Sequence, residues 1–175
     1  MNASRHTFVL GGARSGKSSY AERLAPPVGD FHYIATAQGH DAEMQERIAH
    51  HRQARGLRWK TVEAPLDLVG TLKDVARPGR FVLIDCITLW LANLLIAEQD
   101  CEAEVAKLLP VVASTPARLV IVSNEVGLSI VPDNALSRKF RDEQGRANQR
   151  LAAICDEVVF VAAGLPLRLK PQSAQ

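Results

Sequence analysis

The stretch "HTFVLGGARSGKSS" at residues 6–19 decides the fold, because an apolar run leads directly into a glycine-rich loop. Gly11, Gly16, Lys17 and Ser18 stand at the spacing GxxxxGK[ST]. In the order strand, loop, helix, this spacing is typical of a loop whose backbone N–H groups converge on phosphate oxygens. We expect Lys17 to contact the β and γ phosphates and Ser18 to bind Mg²⁺. A chance glycine-rich turn is the alternative, and the preceding apolar run disfavours it.

Outward from this loop, apolar runs alternate with segments of helical periodicity. The runs predict buried parallel strands at 6–10, 81–85 and 118–123, weaker strands at 31–36 and 157–163, and an edge strand at 166–170. The periodic segments predict helices over 16–25, 40–55, 65–76, 87–109 and 134–155. The alternation favours an α/β fold with a doubly wound, mostly parallel sheet flanked by helices. Ligand sites in such a fold gather at the carboxyl ends of the strands.

Length and composition exclude several classes of protein. A chain of 175 residues with 47% hydrophobic content fits one core, so we expect a single domain over 1–175. The net charge of +2 comes from interspersed charges, which argues against nucleic-acid binding. Three cysteines without paired spacing fit a reducing cytoplasm. The chain has no signal-peptide pattern and no apolar stretch of the roughly 20 residues that span a bilayer, so we expect a soluble, cytoplasmic protein.

Two further stretches follow predicted strands and belong at the same edge of the sheet as the glycine-rich loop. Asp85 ends the run "FVLID", and we favour a contact with Mg²⁺ or the nucleotide over simple capping of the next helix. In "SNEVGLSIVPDN" (123–134), Asn124 and Glu125 can reach the site. Asn124 and Gly127 are equally typical of turns, so both interpretations stay open.

The paired histidines His50 and His51 lie in "ERIAHHRQARG" (46–56). On a helix, His51 shares a face with Met44 and Ile48, which indicates a packed histidine. Adjacent residues point about 100° apart on a helix, so the pair does not converge on a metal. His50 lies on a charged face. An exposed, solvated histidine is the simpler interpretation, although a neutral imidazole is also a competent nucleophile toward phosphorus.

Seven strings in this chain resemble the bifunctional adenosylcobinamide kinase and adenosylcobinamide-phosphate guanylyltransferase family of cobalamin biosynthesis. They are "GGARSGKSSYAE", "YIATA", "EMQERIAHHRQARG", "WKTVEAP", "LIDCITLWLANLL", "VSNEVGLSIVP" and "FRDEQGRANQRLA". The resemblance implies a P-loop NTPase of RecA-like topology that phosphorylates the aminopropanol hydroxyl of adenosylcobinamide with ATP or GTP. GMP would then pass from GTP to the phosphate, which gives adenosylcobinamide-GDP and pyrophosphate.

The resemblance also implies roles for residues at matching positions. His50 would carry the guanylyl group, and Ser18 and Asp85, which can be Glu in relatives, would engage Mg²⁺ or the nucleotide. The implied nucleotide contacts are Gly11, Gly12, Ala13, Arg14, Ser15, Gly16, Lys17, Ser18, Ala35, Thr36, Ala37, His51, Arg52, Gln53, Ala54, Glu63 and Asp85. The family forms homo-oligomers, so the resemblance implies a ring-shaped trimer. The segment "AEQDCEAE" (97–104) is shorter here than in some relatives.

Two other functions fit the glycine-rich loop alone. A monofunctional small-molecule kinase would use the loop and leave His50 as a surface residue. A RecA-type nucleotide-dependent assembly protein would hydrolyse nucleotide without a small-molecule acceptor. Labelling with α-labelled GTP separates both from the bifunctional transferase, because only the transferase forms a phosphoramidate with the enzyme.

Overall fold

The computed structural model describes residues 6–39, Glu46 and residues 58–170, and all structural statements refer to them. Seven strands lie within these ranges: β1 Thr7–Gly11, β2 Asp30–Ala35, β3 Trp59–Glu63, β4 Arg80–Asp85, β5 Arg118–Asn124, β6 Glu157–Ala162 and β7 Leu165–Lys170. The same ranges contain five helices: α1 Lys17–Arg23, α2 Leu68–Val75, α3 Ile87–Ile96, α4 Cys101–Ser114 and α5 Ala135–Ile154. None of these helices has both the length and the apolar character that a bilayer crossing requires.

The seven strands form one sheet in the order β3-β2-β4-β5-β1-β6-β7. Neighbouring strands are parallel except for β6 and β7, which pair antiparallel. The strand β5 therefore lies between β1, which leads into the glycine-rich loop, and β4, which ends at Asp85. This confirms the predicted mostly parallel α/β sheet and brings the carboxyl ends of β1, β4 and β5 to one edge.

Helices cover the two faces of the sheet unequally among the described residues. Apolar side chains of α2, α3, α4 and α5 pack against one face. On the other face, Ala21 from α1 joins a cluster that includes Tyr33, Phe81 and Leu83. Because side chains alternate along a strand, Asp85 continues the series of Phe81 and Leu83 onto the face that α1 covers. The fold thus puts the carboxylate on the same side of the sheet as the helix after the glycine-rich loop.

All six predicted strands are confirmed, but the prediction missed β3 altogether. Trp59 is the one buried residue of this strand, and the four that follow are exposed. A strand at the edge of the sheet has one paired neighbour and little burial, so it carries no apolar run for sequence reasoning to detect.

The helix predicted over 87–109 is wrong, because the structure divides it into α3 and α4. Glu98 adopts a left-handed conformation with a φ of 55°, which ends α3. Asp100 then accepts a hydrogen bond from the Ala103 backbone N–H at 3.1 Å and so caps α4. The predictions over 16–25, 65–76 and 134–155 are confirmed as the shorter α1, α2 and α5. Apart from Glu46, the helix predicted over 40–55 lies outside the described residues.

Candidate nucleotide-binding site

The glycine-rich loop turns sharply between β1 and α1. The Ser15 N–H donates to the Gly12 carbonyl at 3.3 Å, and Gly16 has a φ of 92°. A Cβ atom on Gly11 would lie 2.5 Å from both the Ser15 hydroxyl and the Val161 carbonyl oxygen, so a side chain does not fit there. The close approach to β6 and the left-handed turn both require glycine, which explains the spacing of the two glycines.

The turn between β6 and β7 supports this loop from outside. The Gly164 N–H donates to the Ser15 carbonyl at 2.8 Å, and a Cβ on Gly16 would lie 3.2 Å from the Gly164 Cα. Ala163 and Gly164 both have positive φ, at 52° and 79°. Positive φ at both central residues is typical of a tight two-residue hairpin turn. Sequence reasoning predicted the edge strand but gave its turn no role, although the dipeptide Ala-Gly between two strands was a usable signal.

Lys17 folds back over the loop, and its ammonium donates to the Gly12 carbonyl at 3.1 Å. An ammonium has three N–H donors, so this bond leaves two for phosphate oxygens. Ser18 follows in the first turn of α1 and is half-buried. The predicted residues of the loop therefore occupy one compact turn, with a cation held against its backbone.

Asp85 is held by a tyrosine that sequence reasoning missed. The Tyr33 hydroxyl donates to Oδ2 of Asp85 at 2.7 Å, from a side chain that is 2% exposed. Burial, with the Asp85 carboxylate beside it, raises the pKa of the Cys86 thiol to about 12, while Lys17 acts on the same thiol in the opposite direction. Cys86 is therefore a neutral thiol and not a nucleophile. Because only β5 separates β4 from β1, Asp85 and the glycine-rich loop with Lys17 lie at the same edge of the sheet.

Ala35, Glu63 and Asp85 lie side by side at the carboxyl ends of neighbouring strands. Ala35 pairs in register with Glu63 on β3 and with Asp85 on β4. Glu63 is exposed, whereas Ala35 and Ala37 are half-buried. The predicted contacts on three separate stretches of sequence thus meet along one edge of the sheet.

Thr36 is fully buried, and its hydroxyl is used within the protein. It donates to the Cys86 carbonyl at 2.7 Å and accepts from the Cys86 N–H at 2.9 Å. The Thr36 carbonyl accepts a 2.7 Å bond from the Asn93 side chain. The threonine of "YIATA" therefore fixes the loop after β2 to the loop after β4, and this contact positions Asp85.

A buried polar network supports the end of β5. Thr88 accepts from the Asn124 N–H at 2.7 Å, and the Asn148 side chain donates to the Asn124 carbonyl at 3.1 Å. Gln144 and Asn148 both bond to the Ser123 hydroxyl at 2.8 Å. The motif "FRDEQGRANQRLA" thus serves to hold β5, a role that sequence reasoning did not find because it depends on contacts between α5 and the sheet.

For the stretch after β5, residues 123–134, the structure distinguishes in part between a turn and a contact with the site. The Glu125 carboxylate accepts a 2.6 Å bond from the Gly127 N–H, and this bond closes a turn. The Asn124 side-chain oxygen is buried and has no hydrogen-bond partner among the described residues. Asn124 pairs in register with Gly11, so it lies at the start of the glycine-rich loop. The predicted residues His50, His51, Arg52, Gln53 and Ala54 lie outside the described residues.

Comparisons with known proteins identify the family to which the chain belongs. Residues 7–169 match the family described as cobinamide kinase / cobinamide phosphate guanyltransferase. The bifunctional adenosylcobalamin biosynthesis protein CobP of Pseudomonas aeruginosa is 50% identical over 166 residues, which cover 93% of this chain and 96% of the relative. The bifunctional adenosylcobalamin biosynthesis protein CobU of Escherichia coli K12 is 41% identical over 178 residues, with 93% and 98% covered.

A solved structure supports the fold alone. The type III secretion ATPase EscN of enteropathogenic E. coli, in complex with its central stalk EscO, superposes with a TM-score of 0.61 at 12% identity. The match covers 100% of this chain and 48% of EscN. The sheet with its glycine-rich loop therefore has the P-loop NTPase fold, as predicted.

Proposed function

Since this chain belongs to the cobinamide kinase / cobinamide phosphate guanyltransferase family and is a bifunctional enzyme, we propose that it acts on adenosylcobinamide in two nucleotide-dependent steps. In the first, the aminopropanol hydroxyl attacks the γ phosphorus of ATP or GTP, the nucleoside diphosphate leaves, and the hydroxyl proton is lost. In the second, GMP passes from GTP to the new phosphate, and pyrophosphate leaves. The product is adenosylcobinamide-GDP.

The observation that carries the proposal is the strand order, which brings the glycine-rich loop with Lys17 and Ser18 to the same edge of the sheet as the Asp85 carboxylate. Phosphoryl transfer needs positioning and charge stabilisation more than covalent chemistry, and a loop of backbone amides with a lysine supplies both. Lys17 would hold the β and γ phosphates in place. Arg14, at a φ of 55°, and Gly16, at a φ of 92°, give the turn the left-handed residues that are typical of anion-binding backbone loops.

The residues present also fit Mg²⁺. The Ser18 hydroxyl and the Asp85 carboxylate are hard oxygen ligands, which this cation prefers. Tyr33 donates to Oδ2 of Asp85, so within the described residues Oδ1 stays available to a ligand. When bound, Mg²⁺ would neutralise charge on the β and γ phosphates. We propose that Ser18 and Asp85 hold it, directly or through water.

For the second step we propose His50 as the nucleophile. Its imidazole nitrogen would attack the α phosphorus of GTP, release pyrophosphate and form a guanylyl phosphoramidate. A phosphate oxygen of adenosylcobinamide phosphate would then attack the same phosphorus and free His50. The support is the match of "RIAHHR" to the family, together with the helix predicted over 40–55, on which His50 and His51 would lie on different faces.

Labelling with α-labelled GTP tests the assignment. We expect His50→Asn to lose the covalent label and the formation of adenosylcobinamide-GDP, because an amide cannot form the phosphoramidate. The matched control, His51→Asn, should retain a label that is labile to acid and stable to alkali. The kinase step should persist in His50→Asn, since it needs no enzyme nucleophile. Full guanylyl transfer by His50→Asn, or loss of label in His51→Asn alone, would show that the assignment is wrong.

By the same resemblance we propose a cytoplasmic homo-oligomer, a trimer. Both relatives are named bifunctional adenosylcobalamin biosynthesis proteins, which favours the two-step enzyme over a kinase with one activity. The likeness to EscN concerns the fold and gives no support to a role in assembly. Light scattering would measure the mass of the particle, and a monomer at micromolar concentration would contradict the proposed trimer.

A further inference from the structure

The loop between β5 and α5 exposes an unusual concentration of large apolar side chains. Leu128 is 83% exposed, Ile130 94% and Val131 66%, and Leu136 at the start of α5 is 64% exposed. We call these four residues the apolar loop surface. Single exposed apolar residues are common, but a contiguous group usually marks a binding site.

Hydrogen bonds within the segment order its backbone. The Ser129 hydroxyl donates to the Val126 carbonyl at 3.1 Å, which tightens the turn around Leu128. Farther along, the Arg138 guanidinium donates to the carbonyls of Pro132 and Asp133 at 2.9 and 2.7 Å. The exposure therefore belongs to a preorganised loop, and preorganisation lowers the entropy cost of binding a ligand.

The loop starts directly at the phosphate loop. The Glu125 N–H donates to the Gly11 carbonyl at 3.1 Å, and Asn124 pairs in register with Gly11. The segment that carries the apolar loop surface therefore leaves the sheet at the glycine-rich loop, where Lys17 would hold the phosphates of a nucleotide. This is where an acceptor for the γ-phosphoryl group has to be.

The acceptor in the proposed function is a corrinoid, a large macrocycle with methyl-bearing apolar faces and amide side chains around its rim. Its reacting hydroxyl sits at the end of a short tether, so the ring must rest close to the phosphate loop when the hydroxyl reacts. We propose that the apolar loop surface binds the corrin ring, with exposed Ser129 and Asp133 near its amides. This inference rests on the proposed function and adds the site of its acceptor.

A second copy of the chain is the competing occupant. A stable protein interface buries about 800 Å² on each partner, more than four side chains alone supply. The position beside the phosphate loop also gives a small acceptor a reason to bind here, whereas contact between copies needs no such proximity. We therefore commit to the corrinoid, and the oligomeric state becomes a readout of the test.

The test compares two exposed isoleucines. Ile130→Ser should raise the dissociation constant of adenosylcobinamide, measured by equilibrium dialysis with the coloured corrinoid, by about tenfold to a hundredfold, since an apolar side chain would lose its buried contact. Ile96→Ser is the matched control, because Ile96 is 68% exposed at the end of α3. It should bind the corrinoid like the wild type. Both variants should keep their labelling by α-labelled GTP without corrinoid, and both should keep the wild-type mass by light scattering.

Three other outcomes would contradict the inference or the proposed function. An affinity of Ile130→Ser within twofold of the wild type overturns the inference, and Leu128→Ser repeats the comparison if Ile130→Ser fails to fold. A changed particle mass with unchanged corrinoid affinity would assign the apolar loop surface to contacts between copies and also overturn it. If the wild type neither binds adenosylcobinamide nor takes label from GTP, the proposed function itself fails, and that result differs from a defect confined to the variants.

Discussion

Thr36→Val should destabilise the protein more than its conservative chemistry suggests. Valine has nearly the shape of threonine, so the substitution removes a hydroxyl and leaves the packing almost unchanged. That hydroxyl bonds to both the carbonyl and the N–H of Cys86, in a position with no solvent exposure. Each buried backbone group left without a partner costs about 1–3 kcal/mol, and the added methyl returns a part of this. We expect a net loss of about 2–4 kcal/mol in the free energy of unfolding.

Thermal and urea unfolding followed by circular dichroism measure this loss. For a domain of this size, 1 kcal/mol corresponds to roughly 2–4 °C in melting temperature, so Thr36→Val should melt roughly 4–16 °C below the wild type. Thr36→Ser is the matched control, because it keeps the hydroxyl and removes one methyl group, at a cost of about 1 kcal/mol. Valine should therefore be the worse of the two substitutions.

The result also decides what Thr36 does at the site. Sequence comparison implied a contact with the nucleotide, whereas the structure gives its hydroxyl two partners within the protein. If Thr36→Val unfolds within about 0.5 kcal/mol of the wild type, or is more stable than Thr36→Ser, the reasoning from buried hydrogen bonds is refuted. Unchanged stability together with weaker nucleotide binding would restore the direct contact.

Two further substitutions test the phosphate loop and the carboxylate. Gly11→Ala places a Cβ atom 2.5 Å from a backbone oxygen of β6, so we expect at least a tenfold weaker nucleotide affinity by titration calorimetry and a lower melting temperature. Gly12→Ala, whose Cβ meets nothing within 4 Å, should leave the melting temperature unchanged, and equal melting of the two variants would contradict the steric argument. Tyr33→Phe removes the 2.7 Å bond to Asp85 and should raise the Mg²⁺ concentration needed for half-maximal nucleotide binding by about two- to tenfold. Tyr20→Phe is the matched control, and an equal shift in that variant would exclude a specific role for the bond.

The parts of the fold that the sequence predicted are those with local signals. Buried strands such as β4 and β5 appear as apolar runs because both faces of a central strand are covered. The edge strand β3 buries Trp59 alone and has no such run. The break between α3 and α4 depends on one left-handed residue, Glu98, inside a segment whose composition favours a continuous helix. Glu98 is itself a good helix former, so its identity does not signal the break.

In the candidate site too, the sequence predicted the residues that have a local signal and missed their distant partners. Lys17 and Ser18 follow from spacing within a few residues, and Asp85 from its place at the end of an apolar run. The partners of these residues come from distant parts of the chain, as the sequence separation of 52 positions between Tyr33 and Asp85 illustrates. A tyrosine inside a strand gives no sign of whether its hydroxyl meets a carboxylate. Only the register of β2 against β4 fixes that pair.

Hydrogen bonds fix the glycine-rich loop to its surroundings on both sides. On one side the Glu125 N–H bonds to the Gly11 carbonyl, and on the other the Gly164 N–H bonds to the Ser15 carbonyl. Both bonds use carbonyl groups of the loop, so neither of them occupies an N–H group that could face phosphate oxygens. Fixed donors need no reorganisation when charge develops in the transition state, which is the larger part of electrostatic catalysis. Because Glu125 begins the segment that carries the apolar loop surface, a corrinoid held there would contact the same rigid frame that positions the donor phosphates.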